Sequence, residues 1–499
     1  MGSIPVIRLS QDNLGRLAAD VAVPRYDRSS LRCGIVHFGL GNFHRVHQAV
    51  YVDRCLHDPS VKDWGICGVE LIDSPATRAK GEAYKSQDCL YTVTEFEPDG
   101  RAATRVIGAM IDYIHAPADP EALLRRLTNP DTRIVSLTIT EGGYNLDETT
   151  GQFKLATPDV AHDLAGGPCR TAFGFIVEAL HRRRNAAAGP FTVMSCDNLR
   201  HNGDTAKKAI LSFAQARDPG LAAWIEANVA FPNSMVDRIA PQVSPETHAR
   251  LNARSGIDDA VPALGETFSQ WVIEDDFSAG RPAFETVGVE LRSDVAVFEF
   301  MKGRMLNASH VMLAYPALLC GYRIVHEAMG DKRLAQLLRS FLDNDVILRL
   351  QGPPGVSLEA YRDAVLERFE NPAINDQLLR IAFDGAAKFP VFHSKTIASL
   401  VESNGNVDRE AYLLACYARY LHGRDDKGQT FEVVEPRLSD ADWTLVRGSD
   451  PLGLLRTSPF ESLGLFDNAG FAQAYRRYAD AIAATSASQT LDRLLEDIA

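Results

Sequence analysis

A chain of 499 residues is longer than one hydrophobic core normally supports, so two domains are expected. Its composition is that of an ordinary globular protein, and a formal net charge of −13 argues against a nucleic-acid partner, because binding a polyanion needs an excess of Lys and Arg. The eight cysteines are scattered with no C-x₂₋₄-C pair, which speaks against a thiolate zinc site and for a reducing compartment.

The opening Met1-Gly2-Ser3-Ile4-Pro5-Val6 has neither the basic nor the apolar region of a secretion signal, and Val6 stands where a myristoylation signal needs Ser or Thr. No apolar run approaches the length of a membrane span, and Glu496-Asp497-Ile498-Ala499 matches no sorting tag, so a cytoplasmic location is expected. Residues 1–30 read as an extension. A first strand over Arg32–Phe38 then runs into Gly39-Leu40-Gly41-Asn42-Phe43-His44-Arg45, followed by a helical stretch over Val46–Leu56. A second strand over Trp64–Val69 ends near Glu70 and Asp73. Stretches at Leu90–Phe96 and Ala103–Ile107 flank Pro98-Asp99-Gly100 and predict a hairpin. Arg133–Ile139 and Phe191–Cys196 are apolar runs without alternation, as in buried parallel strands. Helices are predicted over 170–182 and 203–217.

Strands alternating with helices in this order predict a doubly wound, Rossmann-like α/β domain over residues 31–230. A mixed connecting segment follows over 231–294. From 295 to 499 the periodicity is helical, with helices predicted at 302–329, 332–342, 357–369, 373–383 and 408–421, so the second domain is expected to be mostly α-helical.

Gly39 and Gly41 follow the first strand, where glycine lets the backbone approach a pyrophosphate and the next helix turns its positive end towards it. With Asn42 and Phe43 they are the candidate cofactor-binding turn, although His44 occupies the third glycine position of the full fingerprint. Glu70 and Asp73 are the candidates for holding the ribose hydroxyls of NAD, Asp73 being nearer the turn; either is also explained as a solvated loop acid. Arg78 lies close enough to keep NADP open.

The segment Lys302-Gly303-Arg304-Met305-Leu306-Asn307-Ala308-Ser309-His310 carries the candidate chemistry. On an α-helix Asn307 lies about 140° and His310 about 80° from Lys302, one broad side. A desolvated lysine serves as a general base for alcohol oxidation, an asparagine amide donates to the growing oxyanion, and a histidine orients the substrate or the lysine. An amphipathic helix with a polar face explains the same pattern. Ser195-Cys196-Asp197-Asn198-Leu199 adds a second amide, Asn198, at the C-terminal end of a buried strand, where open α/β sheets bind ligands; a turn or N-cap role is its alternative. His44 and His47 are three apart but lack a third ligand, so no metal is expected. His393 reads as a loop residue or as part of a sugar pocket, and Arg182-Arg183-Arg184 as a helix C-terminus.

Five blocks together resemble the polyol-specific long-chain dehydrogenases. They are residues 39–45, Thr138-Ile139-Thr140-Glu141-Gly142-Gly143-Tyr144, residues 195–199, Phe231-Pro232-Asn233-Ser234-Met235-Val236-Asp237-Arg238, and the K-x₄-N-x₂-H spacing of Lys302, Asn307 and His310. The resemblance spans about residues 31–480. It implies an NAD-dependent, metal-independent and commonly monomeric enzyme that interconverts D-mannitol and D-fructose. It further implies Lys302 as general acid/base, Asn198 and Asn307 as the oxyanion hole, His310 at the substrate and Glu141 as a proton relay. Asp237, Arg380 and Lys388 would hold sugar hydroxyls, and Asp73 would select NAD. The substrate would lie between the two domains. Alternatives are a relative acting on D-arabinitol or D-sorbitol, a hexuronate reductase using Arg380 and Lys388 as a cationic pocket, and a nucleotide-sensing protein that would lack the lysine base.

Overall fold

The structure is a computed structural model that describes residues 6–147 and 150–497. Met1–Pro5 and Ile498–Ala499, read above for targeting signals, lie outside the described residues. The chain divides into two compact units, one formed by residues up to 97 and 101–296, the other by 98–100 and 297–499.

The first unit is a Rossmann-type α/β domain. Its central sheet has five parallel strands in the spatial order Met110–His115, Gly65–Glu70, Cys33–Phe38, Ile134–Leu137, Thr192–Ser195. In sheet-strand numbering this is 3-2-1-4-5, so the strand order reverses between Cys33–Phe38 and Ile134–Leu137, the position where such sheets bind ligands. The strands read as unbroken apolar runs because both faces are covered. Val36, Phe38, Val135 and Leu137 pack with Phe173, Ile176 and Phe213 on one side, and Ile35, Ile66 and Ile134 pack with Val50 and Tyr51 on the other.

The predicted hairpin forms with Tyr91–Phe96 antiparallel to Ala102–Ile107, and Ala263–Glu266 adds in parallel to its other edge. Residues 231–294 supply further strands to this unit. Among them, Ser234–Asp237 pairs antiparallel with Gln270–Ile273. The leading segment is also tied in: Ile7–Arg8 pairs with Ile257–Asp258, and Leu9 and Val21 are buried with Leu90 and Val106.

Two local expectations are corrected here. The helix expected over Val46–Leu56 forms over Gln48–Cys55, but a separate short helix over Asn42–Val46 precedes it, broken from it at His47, whose ring reaches Gln270 O at 2.9 Å. The helix expected over 170–182 runs to Asn185, and Arg183 inside it is buried, donating to the carbonyls of Leu127, Asn129, Thr132 and Gly189. The arginine run is therefore structural.

The second unit is helical. The helix Ala308–Leu319 is apolar and buried nearly all round, and is packed by Lys332–Phe341, Leu378–Ala382, Asp408–Tyr420 and Ala487–Asp497. The helix expected over 302–329 is broken in two places. Residues Gly303–Asn307 form a π-turn, and the chain leaves the helix after Leu319 because Gly321 takes φ +97°. The helix expected over 373–383 shrinks to Leu378–Ala382, since Asn375 is left-handed. All eight cysteines are free thiols. No described helix is long and apolar enough to cross a membrane.

Candidate functional site

The dinucleotide turn is built from the first strand outwards. Gly39 takes φ +93°, and a Cβ there would sit 2.1 Å from Thr138 O, so only glycine fits. Its carbonyl accepts from Thr138 Oγ1 at 2.6 Å and lies 3.0 Å from His37 Nε2. His37 Nδ1 in turn lies 2.8 Å from Ser136 Oγ. Burial pushes the His37 imidazole down to about 3, so it is a neutral brace for the turn. His44 stacks on it with ring centroids 3.4 Å apart and bonds Gln48, and burial lowers its pKa strongly as well. His44 and His47 thus both have structural partners. Among the described residues, no group of three or more His, Cys, Asp or Glu is placed to hold a metal.

A Cβ on Gly41 would meet no atom within 4 Å. That open space beside a turn at the switch point fits a dinucleotide pyrophosphate. Asn42 turns its side chain away from that space: it donates to Pro241 O at 3.0 Å and accepts from Arg45 at 2.6 Å, which leaves its backbone for a cofactor. Phe43 stacks on His47. Two substitutions separate fold from binding. Gly41→Ala is expected to leave the melting temperature unchanged and to weaken NADH binding roughly tenfold, about 1.4 kcal/mol. Gly39→Ala is expected to lower both stability and binding, because the left-handed backbone and the Thr138 carbonyl both reject a side chain. Fluorescence titration alongside thermal melts reads the difference.

Of the two acids after the second strand, Glu70 is half spent: its Oε1 accepts from the backbone N–H of Leu71 and of Ile72, each at 3.1 Å. Asp73 is exposed and makes a bidentate pair with Arg78, both contacts at 2.6 Å, and this partner holds its carboxyl below the usual range. Lys80, which sequence reading passed over, donates to Leu40 O inside the glycine turn. Burial, with Arg45 close by, brings its ammonium down to about 8. Its signal in the sequence was only its place seven residues beyond Asp73, about two helical turns.

Two of the other predicted residues, Glu141 and Asn198, lie on turns that follow strands of this sheet, and a third, Asp237, lies on a neighbouring strand tied to the same segment. Glu141 opens a tight 3₁₀ turn, Glu141–Tyr144, that follows the fourth sheet strand. Thr140 before it takes φ +64°, ψ +168°, a region essentially reserved for glycine that costs about 1–3 kcal/mol. Asp197, one residue before Asn198, accepts from the N–H of Thr140 at 2.9 Å and of Ile139 at 3.1 Å, and from Tyr144 OH at 2.7 Å. The turns carrying Glu141 and Asn198 are thereby joined. Both Glu141 and Asn198 are exposed on them. Asp237 closes the strand Ser234–Asp237 and is buried. That strand is tied to the same segment through Ser234 Oγ, donating to Ser195 O at 2.7 Å, and through Asn202, bonding both Asp197 O and Ser234 O.

In the helical unit, Lys302 is buried at the end of Val295–Lys302, directly before the π-turn. The expectation of about 140° between Lys302 and Asn307 is corrected by that turn. Its i→i+5 bonding, seen as Ala308 N–H to Gly303 O, takes more residues per turn than an α-helix. Lys302 and Asn307 therefore lie closer in angle than on a regular α-helix, and His310 lies about one α-turn beyond Asn307. The His310 ring stacks on Phe369 with centroids 4.2 Å apart. Helix Gly385–Phe392 packs on the π-turn, with Phe392 3.7 Å from the Cβ position of Gly303. Lys388 on this helix donates to Ile381 O at 2.6 Å, next to Arg380, whose exposed guanidinium pairs bidentately with Asp376. His393 sits in the turn between helices Gly385–Phe392 and Ser394–Glu402, where it is fully buried with Nδ1 2.9 Å from Glu410.

The family "Mannitol dehydrogenase Rossmann domain" matches residues 33–286, and "Mannitol dehydrogenase C-terminal domain" matches 294–482. A polyol:NADP oxidoreductase of Gluconobacter oxydans is 50% identical over 91% of this chain and 93% of its own. A substrate-free D-sorbitol dehydrogenase crystal structure superposes with a TM-score of 0.91 at 46% identity, covering 97% of this chain and 100% of that one. The Pseudomonas fluorescens mannitol 2-dehydrogenase ternary complex with NAD and D-mannitol superposes with a TM-score of 0.87 at 40% identity, covering 98% and 100%. With a Rossmann-type unit that fits a nicotinamide dinucleotide and a helical unit that carries the lysine motif, the chain belongs to the mannitol dehydrogenase family of polyol dehydrogenases.

Proposed function

We propose that the protein is an NAD-dependent, metal-independent mannitol 2-dehydrogenase that works as a cytoplasmic monomer and interconverts D-mannitol and D-fructose. The observation that carries this reading is the π-turn that brings a buried lysine, an asparagine amide and a histidine onto one broad side of a helix. The bound nicotinamide supplies the hydride acceptor. Lys302 takes the C2 hydroxyl proton, and the amide N–H groups of Asn307 and Asn198 donate to the oxygen as its charge grows. His310, fixed by its stack on Phe369, orients the hydroxyl. Glu141, exposed on its turn, passes the proton to water. Asp237, Arg380 and Lys388 take the remaining hydroxyls. The Asp376 carboxylate offsets the charge of Arg380, which lowers the net cation available to a carboxylate and favours a neutral polyol over a hexuronate.

A second reading, NADP as cofactor, is supported by Arg78. Held against Asp73 after the second strand, its guanidinium has the fork that pairs with a 2′-phosphate. The relative from Gluconobacter oxydans, named for NADP, supports it as well. One panel decides between them: NAD(P)H absorbance with D-mannitol, D-sorbitol, D-arabinitol and D-fructose under both cofactors, with and without EDTA. The proposal expects the highest kcat/KM for D-mannitol with NAD and no effect of the chelator. A faster reaction of D-sorbitol with NADP would overturn both the substrate and the cofactor assignment. Asp73→Ser is expected to raise the NADP-to-NAD ratio of kcat/KM at least about tenfold, since it removes the charge that repels a 2′-phosphate and frees Arg78. An unchanged ratio would remove Asp73 from the selection.

A further inference from the structure

We propose that Asp197 is a positioning residue: its buried carboxylate clamps the Thr138–Tyr144 segment in a conformation that Thr140 does not hold by itself, and so sets Glu141 relative to Asn198. The inference rests on the reading above for what Glu141 and Asn198 do, but its structural content is independent of it.

A threonine has a branched Cβ, and φ +64° with ψ +168° brings that Cβ against its own backbone. Left alone, the residue would return to negative φ. It is kept there by two backbone N–H groups, those of Ile139 and Thr140, which donate separately to the two oxygens of one carboxylate. The Tyr144 hydroxyl closes the far end of the turn, 2.7 Å from Asp197 Oδ2 and 2.6 Å from Ser195 Oγ. The clamp is itself held rigidly. Asp197 N–H donates to Ser195 Oγ at 3.3 Å, and Asp197 O accepts from the buried Asn202 amide at 3.0 Å. Asp197, Ser195, Tyr144 and Asn202 are all buried, so water does not compete for these bonds. Release of Thr140 would rotate the peptide that leads into Glu141, while Asn198 would stay with its strand.

Backbone strain at an over-determined position next to candidate catalytic groups is the pattern of stored geometry rather than of a turn that merely connects strands. The chain has an unstrained solution available, a glycine at 140, and it already carries glycines at 142 and 143. With threonine at 140, the turn depends on the carboxylate.

The test uses the full-length enzyme with its preferred polyol and dinucleotide. Asp197→Asn keeps the shape but replaces one acceptor oxygen by a donor facing an N–H. It is expected to lower kcat per dinucleotide-binding site about 10²-fold, the scale of a misplacement near 1 Å, and to leave KM for the dinucleotide within about twofold. Adding Thr140→Gly to Asp197→Asn is expected to recover most of that kcat, because glycine holds the same φ unaided. A purely structural role predicts a lower melting temperature with kcat per site unchanged and nothing for glycine to rescue; that result overturns the proposal. If Asp197→Asn does not fold, Tyr144→Phe carries the test, with a several-fold loss of kcat expected and an unchanged kcat overturning it. Should the wild-type enzyme turn over none of the polyols, the functional reading falls and not the clamp. Amide hydrogen exchange at Ile139 and Thr140 then decides: exchange at least tenfold faster in the Asp197 or Tyr144 variant supports the clamp, and equal exchange refutes it.

Discussion

Replacing Lys302 with alanine is expected to lower kcat by about 10²–10⁴-fold, the usual contribution of one general acid–base group, while NADH binding by fluorescence titration stays within about twofold of wild type. The two readouts separate because the residue and the dinucleotide turn belong to different units of the chain. Lys302→Arg sharpens the result. Arginine keeps the positive charge but is not deprotonated in proteins, so it cannot accept the hydroxyl proton. If Lys302 served only as an electrostatic partner, arginine would retain much of the activity; as a proton acceptor, it must be as damaging as alanine. An exogenous primary amine is expected to restore part of the turnover of the alanine variant, by occupying the space left by the side chain. Near-normal turnover in either variant would end the lysine mechanism.

Arg409→Met is expected to destabilise the helical unit by about 3–5 kcal/mol at pH 8, the cost of leaving a buried charge without its partner. Arg409 grips Asp345 in the π-turn Leu342–Val346: its Nε donates to Oδ2 at 2.6 Å, and Nη2 donates to the other oxygen. Both residues are buried. Burial raises the Asp345 carboxyl to about 6 even with Arg409 opposing the shift, and Glu410 nearby adds to the rise. The sign follows from linkage. A carboxyl whose folded pKa lies above its unfolded one favours the folded state most at low pH, and that contribution is lost as pH rises through the folded value. Without Arg409 the carboxyl moves higher still, so the deficit of the variant must be largest above neutrality and shrink on acidification towards pH 6 and below. Adding Asp345→Asn should return most of the stability at pH 8. Urea denaturation at pH 8 and pH 6 checks both points; a loss below about 1 kcal/mol, or one that grows with acid, would contradict this account.

Much of the fold was legible because its signals are local. The buried strands Cys33–Phe38, Ile134–Leu137 and Thr192–Ser195 show as apolar runs, and the hairpin shows as two β-rich stretches about a Pro-Asp-Gly turn. Elements with polar or mixed patterns were missed. Pro75–Ser86 and Pro120–Thr128 announce themselves mainly by a cap residue followed by proline, and Met110–His115 mixes apolar and polar residues and is only partly buried. The candidate site was legible as residue types and spacings, whereas the residues that brace it were not. His37 looks like one more position in a strand, yet it holds the Gly39 carbonyl through a buried imidazole. Asp197 stood inside a quoted motif but read only as the neighbour of Asn198.

The sequence by itself determined the alternation of the most apolar strands with helices, the need for glycine after the first strand, the lysine–asparagine–histidine spacing and the family. These depend on neighbours a few residues apart, or on motifs that survive as text. Only the tertiary structure decided the angle between Lys302 and Asn307, because a π-turn changes helical phase without altering the apolar pattern. It alone paired Asp73 with Arg78, made His393 a core partner of Glu410, and held Thr140 in a glycine-like conformation through a carboxylate 57 residues away. Each of these is a choice among partners that the chain brings together only on folding, and no local preference encodes it.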